Sequence, residues 1–133
     1  MYRSNEFLKQ IDTPEVLITL RKDGIVHAYY KKNVILDLEL QMRMLEKFNE
    51  ITGKKKSLFI FEPDEGVSIT KEARDNAILI EDQTPVLATA VIANNLAYRM
   101  IANFYIKVQK PKSKYKVVEN VEEAVKWLHS LKT

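Results

Sequence analysis

A chain of 133 residues is long enough for one domain that buries a core without staples, and nothing in its length calls for a second. It has no cysteine, which excludes disulfides, thiolate metal sites and thiol nucleophiles and fits a reducing compartment. Its 21 basic and 18 acidic residues leave a formal net charge of only +3, so the chain as a whole is not marked as a nucleic-acid binder. No apolar run approaches the ~20 residues that span a bilayer. The opening Met1-Tyr2-Arg3-Ser4-Asn5-Glu6 lacks the basic-then-apolar order of an export signal, so a cytoplasmic protein is expected.

Residues 1–13 hold one apolar cluster, Phe7, Leu8 and Ile11, for which a short helix and an added edge strand both fit. Val16–Leu20 and Ile25–Tyr30 flank Asp23-Gly24, the dipeptide of a two-residue turn, and read as a hairpin. In that register Leu20 faces His27 and Ile18 faces Tyr29. His27 is then a packed sheet residue, because a ligand or a general base needs partners and no second histidine lies near it in sequence.

Asp37 caps a helix that ends at Gly53, with Leu38, Leu40, Gln41, Met44, Leu45, Phe48 and Ile51 along one side. Ser57–Phe61 is a buried strand that stops at the acidic turn Glu62-Pro63-Asp64-Glu65-Gly66. Thr70 caps a second helix over 71–81, whose Ala73, Ala77 and Ile80 make a narrow face for close packing. Pro85 opens the central unit: a buried strand through Ile92, then a third helix. There Ala97, Met100, Ile101, Phe104, Tyr105 and Val108 recur at helical spacing as a core stripe until Pro111. Tyr115–Val118 reads as an edge strand. Asn120 and Glu123 have the spacing of a capping box before a last amphipathic helix carrying Val121, Ala124, Val125, Leu128 and Leu131. The fold class is therefore α/β: an N-terminal hairpin, then strand and helix in alternation around a mostly parallel sheet with about four helices.

No chemical signature stands on this frame. The three glycines sit in separate turns, so no phosphate loop exists, and His129-Ser130 lies at a helix end without a nucleophile elbow. The acidic turn at 62–65 ends a parallel strand, where α/β sheets place ligands, and is otherwise an exposed loop. Asn94, Asn95 and Arg99 occupy the equivalent place after the central strand. They are candidate contacts for a ligand or partner, or else cap the helix and cover the sheet edge. Lys54–Lys56 and the series Lys107, Lys110, Lys112, Lys114 and Lys116 form lysine-rich rims that lack arginine; the second, 107–116, is a candidate weak anion or nucleic-acid surface. On the third helix Tyr98, Ala102 and Ile106 stand opposite the core stripe, a small and aromatic outer face that suggests self-association into a homodimer.

The hairpin 16–30, the strand Ser57–Phe61, the run Asn94-Asn95-Leu96-Ala97-Tyr98-Arg99-Met100-Ile101-Ala102-Asn103-Phe104-Tyr105, Pro111 and the stretch Val121–Leu128 resemble the SpoIIAA-like small proteins of bacteria. The resemblance runs from about Val16 to Leu128. It implies the STAS fold of the anti-sigma-factor antagonists, an architecture similar to CRAL-TRIO lipid-binding domains. Well-known members carry an Asp-Ser-Ser/Thr-Gly element whose serine is phosphorylated by a partner kinase. The matching place here, Glu62–Thr70, lacks that element but offers Ser68 and Thr70 at the start of a helix, the candidate modification site. The expected function is a non-enzymatic regulatory or protein-interaction module with no cofactor or metal. The alternative implied by the CRAL-TRIO likeness is a carrier of a small apolar ligand or lipid. Against that alternative, the chain shows no surplus of apolar residues for a lipid cavity.

Overall fold

A computed structural model of the chain describes residues 2–131; Met1, Lys132 and Thr133, which fall within the 1–133 domain expected from the sequence, lie outside the described residues. Six strands form one sheet in the order β1-β2-β3-β5-β7-β8. They are β1 (Phe7–Asp12), β2 (Val16–Arg21), β3 (Val26–Tyr30), β5 (Ser57–Pro63), β7 (Val86–Ile92) and β8 (Lys114–Val118). β1, β2 and β3 pair antiparallel, while β3, β5, β7 and β8 run parallel. The N-terminal stretch thus resolves to an edge strand. Two short strands, β4 (Ile35–Leu36) and β6 (Ser68–Ile69), form a separate parallel pair.

The hairpin register differs from the sequence expectation by one residue. Leu20 pairs with Val26 and Thr19 with His27, because the loop Lys22-Asp23-Gly24 has three residues, not two. Gly24 at φ 86° supplies the left-handed residue such a loop requires, and the Arg21 N–H closes on the Ile25 carbonyl at 2.9 Å. The shift places His27 opposite a polar partner and puts Ile18 opposite Ala28.

Four helices cover the sheet: α1 (Leu38–Thr52), α2 (Lys71–Leu79), α3 (Leu96–Phe104) and α4 (Val121–Ser130). Their starts follow the sequence. The side chains of Asp37, Thr70, Asn95 and Asn120 each accept a backbone N–H three residues on. Gly53 at φ 63° ends α1. One core layer joins β2, β3 and β5 to α1 through Val16, Ile18, Ala28, Tyr30, Leu40, Met44, Ile51 and Phe59. The opposite layer joins β5, β7 and β8 to α4 through Leu58, Ile60, Ala90, Val118, Ala124 and Leu128.

The third helix departs most from its expected packing. Its backbone continues past Phe104 as a π-helical turn over Tyr105–Gln109, and no residue of α3 is buried. Met100, Phe104 and Val108 of the expected core stripe, with the neighbouring Leu96, are 53–71% exposed. Tyr98, Ala102 and Ile106, the candidate self-association face, instead turn toward the sheet. Hydroxyl partners explain the rotation. Tyr98 Oη donates to the Asp64 carbonyl at 2.8 Å and accepts the Val67 N–H at 3.1 Å, bonds the exposed stripe has no atoms to make.

Candidate functional site

The inward faces of α1, α2 and α3 do not close over the C-terminal half of the sheet. They leave an apolar cavity of about 230 Å³. Its floor is one sheet face: Tyr30 from β3, Phe59 and Phe61 from β5, Thr89 and Val91 from β7, and Tyr115 from β8. Its walls are Met44 and Phe48 of α1, Ala73 and Ala77 of α2, and Tyr98, Ile101, Ala102 and Ile106 of α3 and its extension. The lining runs from the starts of β7 and β8 at Val86 and Tyr115 to the ends of β5 and β7 at Pro63 and Ile92, so the cavity lies along one face of the sheet.

The small residues make the space. Ala73, Ala77 and Ala102 present methyl groups where larger side chains would meet over the sheet. The helices are instead tethered by polar bonds. Gln41 Nε2 donates to the Ala73 carbonyl at 2.7 Å and Asn76 Nδ2 to Gln41 Oε1 at 2.8 Å, fixing α2 on α1. Gln109 Nε2 donates to Asp75 Oδ1 at 2.7 Å, fixing the end of the π-helical turn on α2.

One corner of the cavity is polar. Glu81, in a single 3₁₀ turn after α2, accepts the Lys112 N–H at 2.8 Å, the Ser113 N–H at 3.3 Å and the Ser113 hydroxyl at 3.1 Å. The rings of Tyr105 and Tyr115 meet edge to face at 5.5 Å. Burial first, and then the neighbouring Tyr115, raise the pKa of Tyr105 above the ordinary phenol value. Burial also raises Tyr115. Both phenols therefore stay protonated at neutral pH.

A second cluster lies on the opposite face of the sheet. His27, only 2% exposed, has both ring nitrogens engaged: Nδ1 with Tyr2 Oη at 2.8 Å and Nε2 with Glu62 Oε1 at 2.7 Å. An ionised carboxylate only accepts, so Nε2 is the donor toward Glu62, and in the neutral ring Nδ1 then accepts from Tyr2. Arg21 Nη1 donates to the same Tyr2 oxygen at 3.2 Å. Burial raises the Tyr2 pKa, against the opposing pull of Arg21. This set has the parts of an acid–base relay, but the sheet separates it from the cavity. Sequence reasoning missed it because Tyr2 and Glu62 stand 25 and 35 residues from His27. Pairing β3 beside β5 was the available signal.

The candidate residues from the sequence scatter. Asn95 caps α3 by accepting the Tyr98 N–H at 2.9 Å, and Asn94 and Arg99 are exposed; none of the three lines the cavity. Thr70 caps α2, and Ser68 is exposed on β6 at the cavity wall. In the acidic turn, Glu62 meets His27 and Asp64 accepts the Tyr29 hydroxyl, a bond that raises the Tyr29 pKa to about 12. Lys107, Lys110, Lys112, Lys114 and Lys116 are all exposed. No group of three or more metal-ligating side chains assembles among the described residues, and no described helix is long and apolar enough to cross a membrane.

Comparison with known proteins places the fold. A family model described as a domain of unknown function (DUF7793) matches residues 18–132. Among solved structures, an uncharacterised protein of the DUF3478 family with a SpoIIAA-like fold, from Shewanella loihica, superposes with a TM-score of 0.59. The two are 13% identical, and the match covers 85% of this chain and 91% of the other. The α/β arrangement described above is thus a SpoIIAA-like fold. No curated protein matches the sequence.

Proposed function

The chain belongs to the DUF7793 family, and we propose that it is a non-enzymatic binding module that takes a small apolar ligand into the cavity beneath α2 and α3. The cavity carries this reading. At about 230 Å³ with carbon walls, it is half again as large as the roughly 150 Å³ hole that accepts benzene, which scales to about nine non-hydrogen atoms. The sequence set a carrier behind a regulatory module because it found no surplus of apolar residues. A surplus is not needed, since Ala73, Ala77 and Ala102 create the space by being small. The non-enzymatic part rests on position: the relay-like set Tyr2, His27 and Glu62 lies on the face of the sheet away from the cavity.

Native mass spectrometry of freshly purified protein, followed by the same sample denatured, tests the reading. A noncovalent adduct lost on denaturation, or a rise in melting temperature with added 1-octanol, is expected. No adduct and no thermal response to either alcohols or alkanes would refute it.

A second reading, a protein-interaction module, is favoured by a separate observation. Leu96, Met100, Phe104 and Val108 form one exposed apolar stripe along α3, a larger unpartnered surface than a free helix ordinarily shows. On this reading the helix contacts a protein partner through that stripe rather than through Tyr98, Ala102 and Ile106.

A further inference from the structure

Two charged residues line the cavity, and they stand at opposite ends of α2. Arg74 lies in the first half of the helix and Glu81 in the 3₁₀ turn that follows it, about 10 Å apart at ~1.5 Å of rise per residue. The acidic end is saturated. The Glu81 oxygens accept the Lys112 N–H at 2.8 Å, the Ser113 N–H at 3.3 Å and the Ser113 hydroxyl at 3.1 Å, so this carboxylate closes the 112–113 backbone onto the cavity. Its charge also repels any second anion from that end.

The basic end is open. Arg3, Arg21 and Arg43 each pair with a carboxylate, and Arg99 is exposed. Arg74 is half-buried, yet it forms no ion pair among the described residues. Its Nη1 donates to the carbonyl of Ile69, itself a lining residue, at 2.8 Å. That bond fixes the guanidinium at the cavity and leaves its Nε and Nη2 edge without an acceptor among the described residues. The adjacent carboxylate, Asp75, is engaged elsewhere, with Lys71 Nζ at 2.8 Å and Gln109 Nε2 at 2.7 Å. Ser68 lines the same end, and its hydroxyl also lacks a partner among the described residues. A guanidinium drawn further from water needs a counter-charge, and its planar fork matches a carboxylate.

We infer that the cavity selects an aliphatic monocarboxylate, its carboxylate on the free edge of Arg74 beside the Ser68 hydroxyl and its apolar body running under α2 toward Glu81. One guanidinium matches one negative charge, and the saturated carboxylate at the far end gives the ligand a single orientation. This inference rests on the cavity being the binding site. Calorimetric titration of the full chain with three probes that share one alkyl body separates the two ideas: octanoate, 1-octanol and octylammonium. Octanoate is expected to bind about ten-fold more tightly than the alcohol, the scale of one charge-assisted hydrogen bond, with octylammonium weakest. Arg74→Gln should bring the acid-to-alcohol ratio below about two-fold while leaving alcohol affinity in place. Arg74→Lys, which keeps the charge but lacks the fork, should give a ratio between the two. An alcohol bound as tightly as the acid by the parent chain, or a ratio unchanged in either variant, would overturn the head-group assignment and leave the cavity reading standing. Binding of none of the three by the parent chain would overturn both.

Discussion

Ala102→Leu is the most direct probe of the cavity. The residue is half-buried on the inward face of α3 and lines the hollow, and leucine is nearly as good a helix former as alanine. The change adds three carbons. At about 0.8 kcal/mol per buried carbon, filling would stabilise the fold by about 2.4 kcal/mol, from which about 0.5–1 kcal/mol is lost in side-chain entropy. A net gain of about 1.5 kcal/mol is expected, read as a higher urea midpoint at unchanged slope. At this chain length that corresponds to a melting temperature about 5 °C higher. The same variant should lose 1-octanol binding, because the added side chain occupies the ligand's space. A loss of 1 kcal/mol or more would mean that the helices already meet there and that leucine overpacks them. A stabilised variant that still bound the alcohol with parental affinity would place the site elsewhere.

Three further outcomes follow from particular contacts. Tyr98→Phe removes both bonds that tie α3 to the β5–β6 loop, leaving the buried Val67 N–H with only the Asp64 carbonyl at 3.3 Å. The expected cost is about 1–2 kcal/mol, with faster amide exchange across residues 96–109; parental exchange there would show that the hydroxyl does not hold the helix. Phe104→Lys and Ile106→Lys form a pair that reports the helix rotation. The first changes an exposed site and should shift stability by less than about 0.5 kcal/mol. The second turns a charge toward the cavity and should cost about 1–3 kcal/mol by chemical denaturation, an order that reverses if the sequence-expected face is the inner one. At Asp23, burial works to raise the carboxyl pKa, but bonds from Arg21, the Ile25 N–H and His129 outweigh it and hold it below its ordinary value. A depressed folded pKa gives stability that is present above the unfolded value of about 3.9 and is lost as pH falls through the folded one. The stability difference between the parent and Asp23→Asn should therefore hold from pH 7 to 5 and narrow below about pH 4 in urea titrations. A difference that does not change with pH would discount the Asp23 contacts.

Much of the frame was legible because local chemistry writes it directly. Asp37, Thr70 and Asn120 are side chains that accept orphan N–H groups, and each stands where its helix begins. The strands at 57 and 86 announced themselves as apolar runs between turn residues. The hairpin register was not legible, since Asp23-Gly24 serves a two-residue and a three-residue loop equally well, and the choice moves every partner by one. Helix three failed for a different reason. It is apolar on two faces, Leu96-Met100-Phe104-Val108 and Tyr98-Ala102-Tyr105, and periodicity reports that faces exist without reporting which one turns inward. A long-range hydroxyl bond decides it, from Tyr98 to Asp64 across 34 residues.

Polar bonds of this kind explain why a cavity exists where the sequence suggested close packing. Two helical faces built from Ala73, Ala77 and Ala102 would, if free, slide together over Thr89 and Val91 until the space closed, since voids forfeit dispersion contacts. They are not free. Tyr98 holds the first turn of α3 to the loop before β6, Gln109 holds the far end of its extension to Asp75 of α2, and Glu81 holds the 112–113 backbone that follows. With no residue of α3 buried, the helix is held by these polar tethers at its ends more than by packing along its length. A helix so fixed spans the sheet without pressing on it, and it can admit a ligand by small movements about Ala102 without breaking a core. The exposed Leu96-Met100-Phe104-Val108 stripe rides on that same helix. Because the stripe and one cavity wall are two faces of the same helix, a ligand bound as proposed that favoured one setting of α3 would change what the outer face offers to a partner.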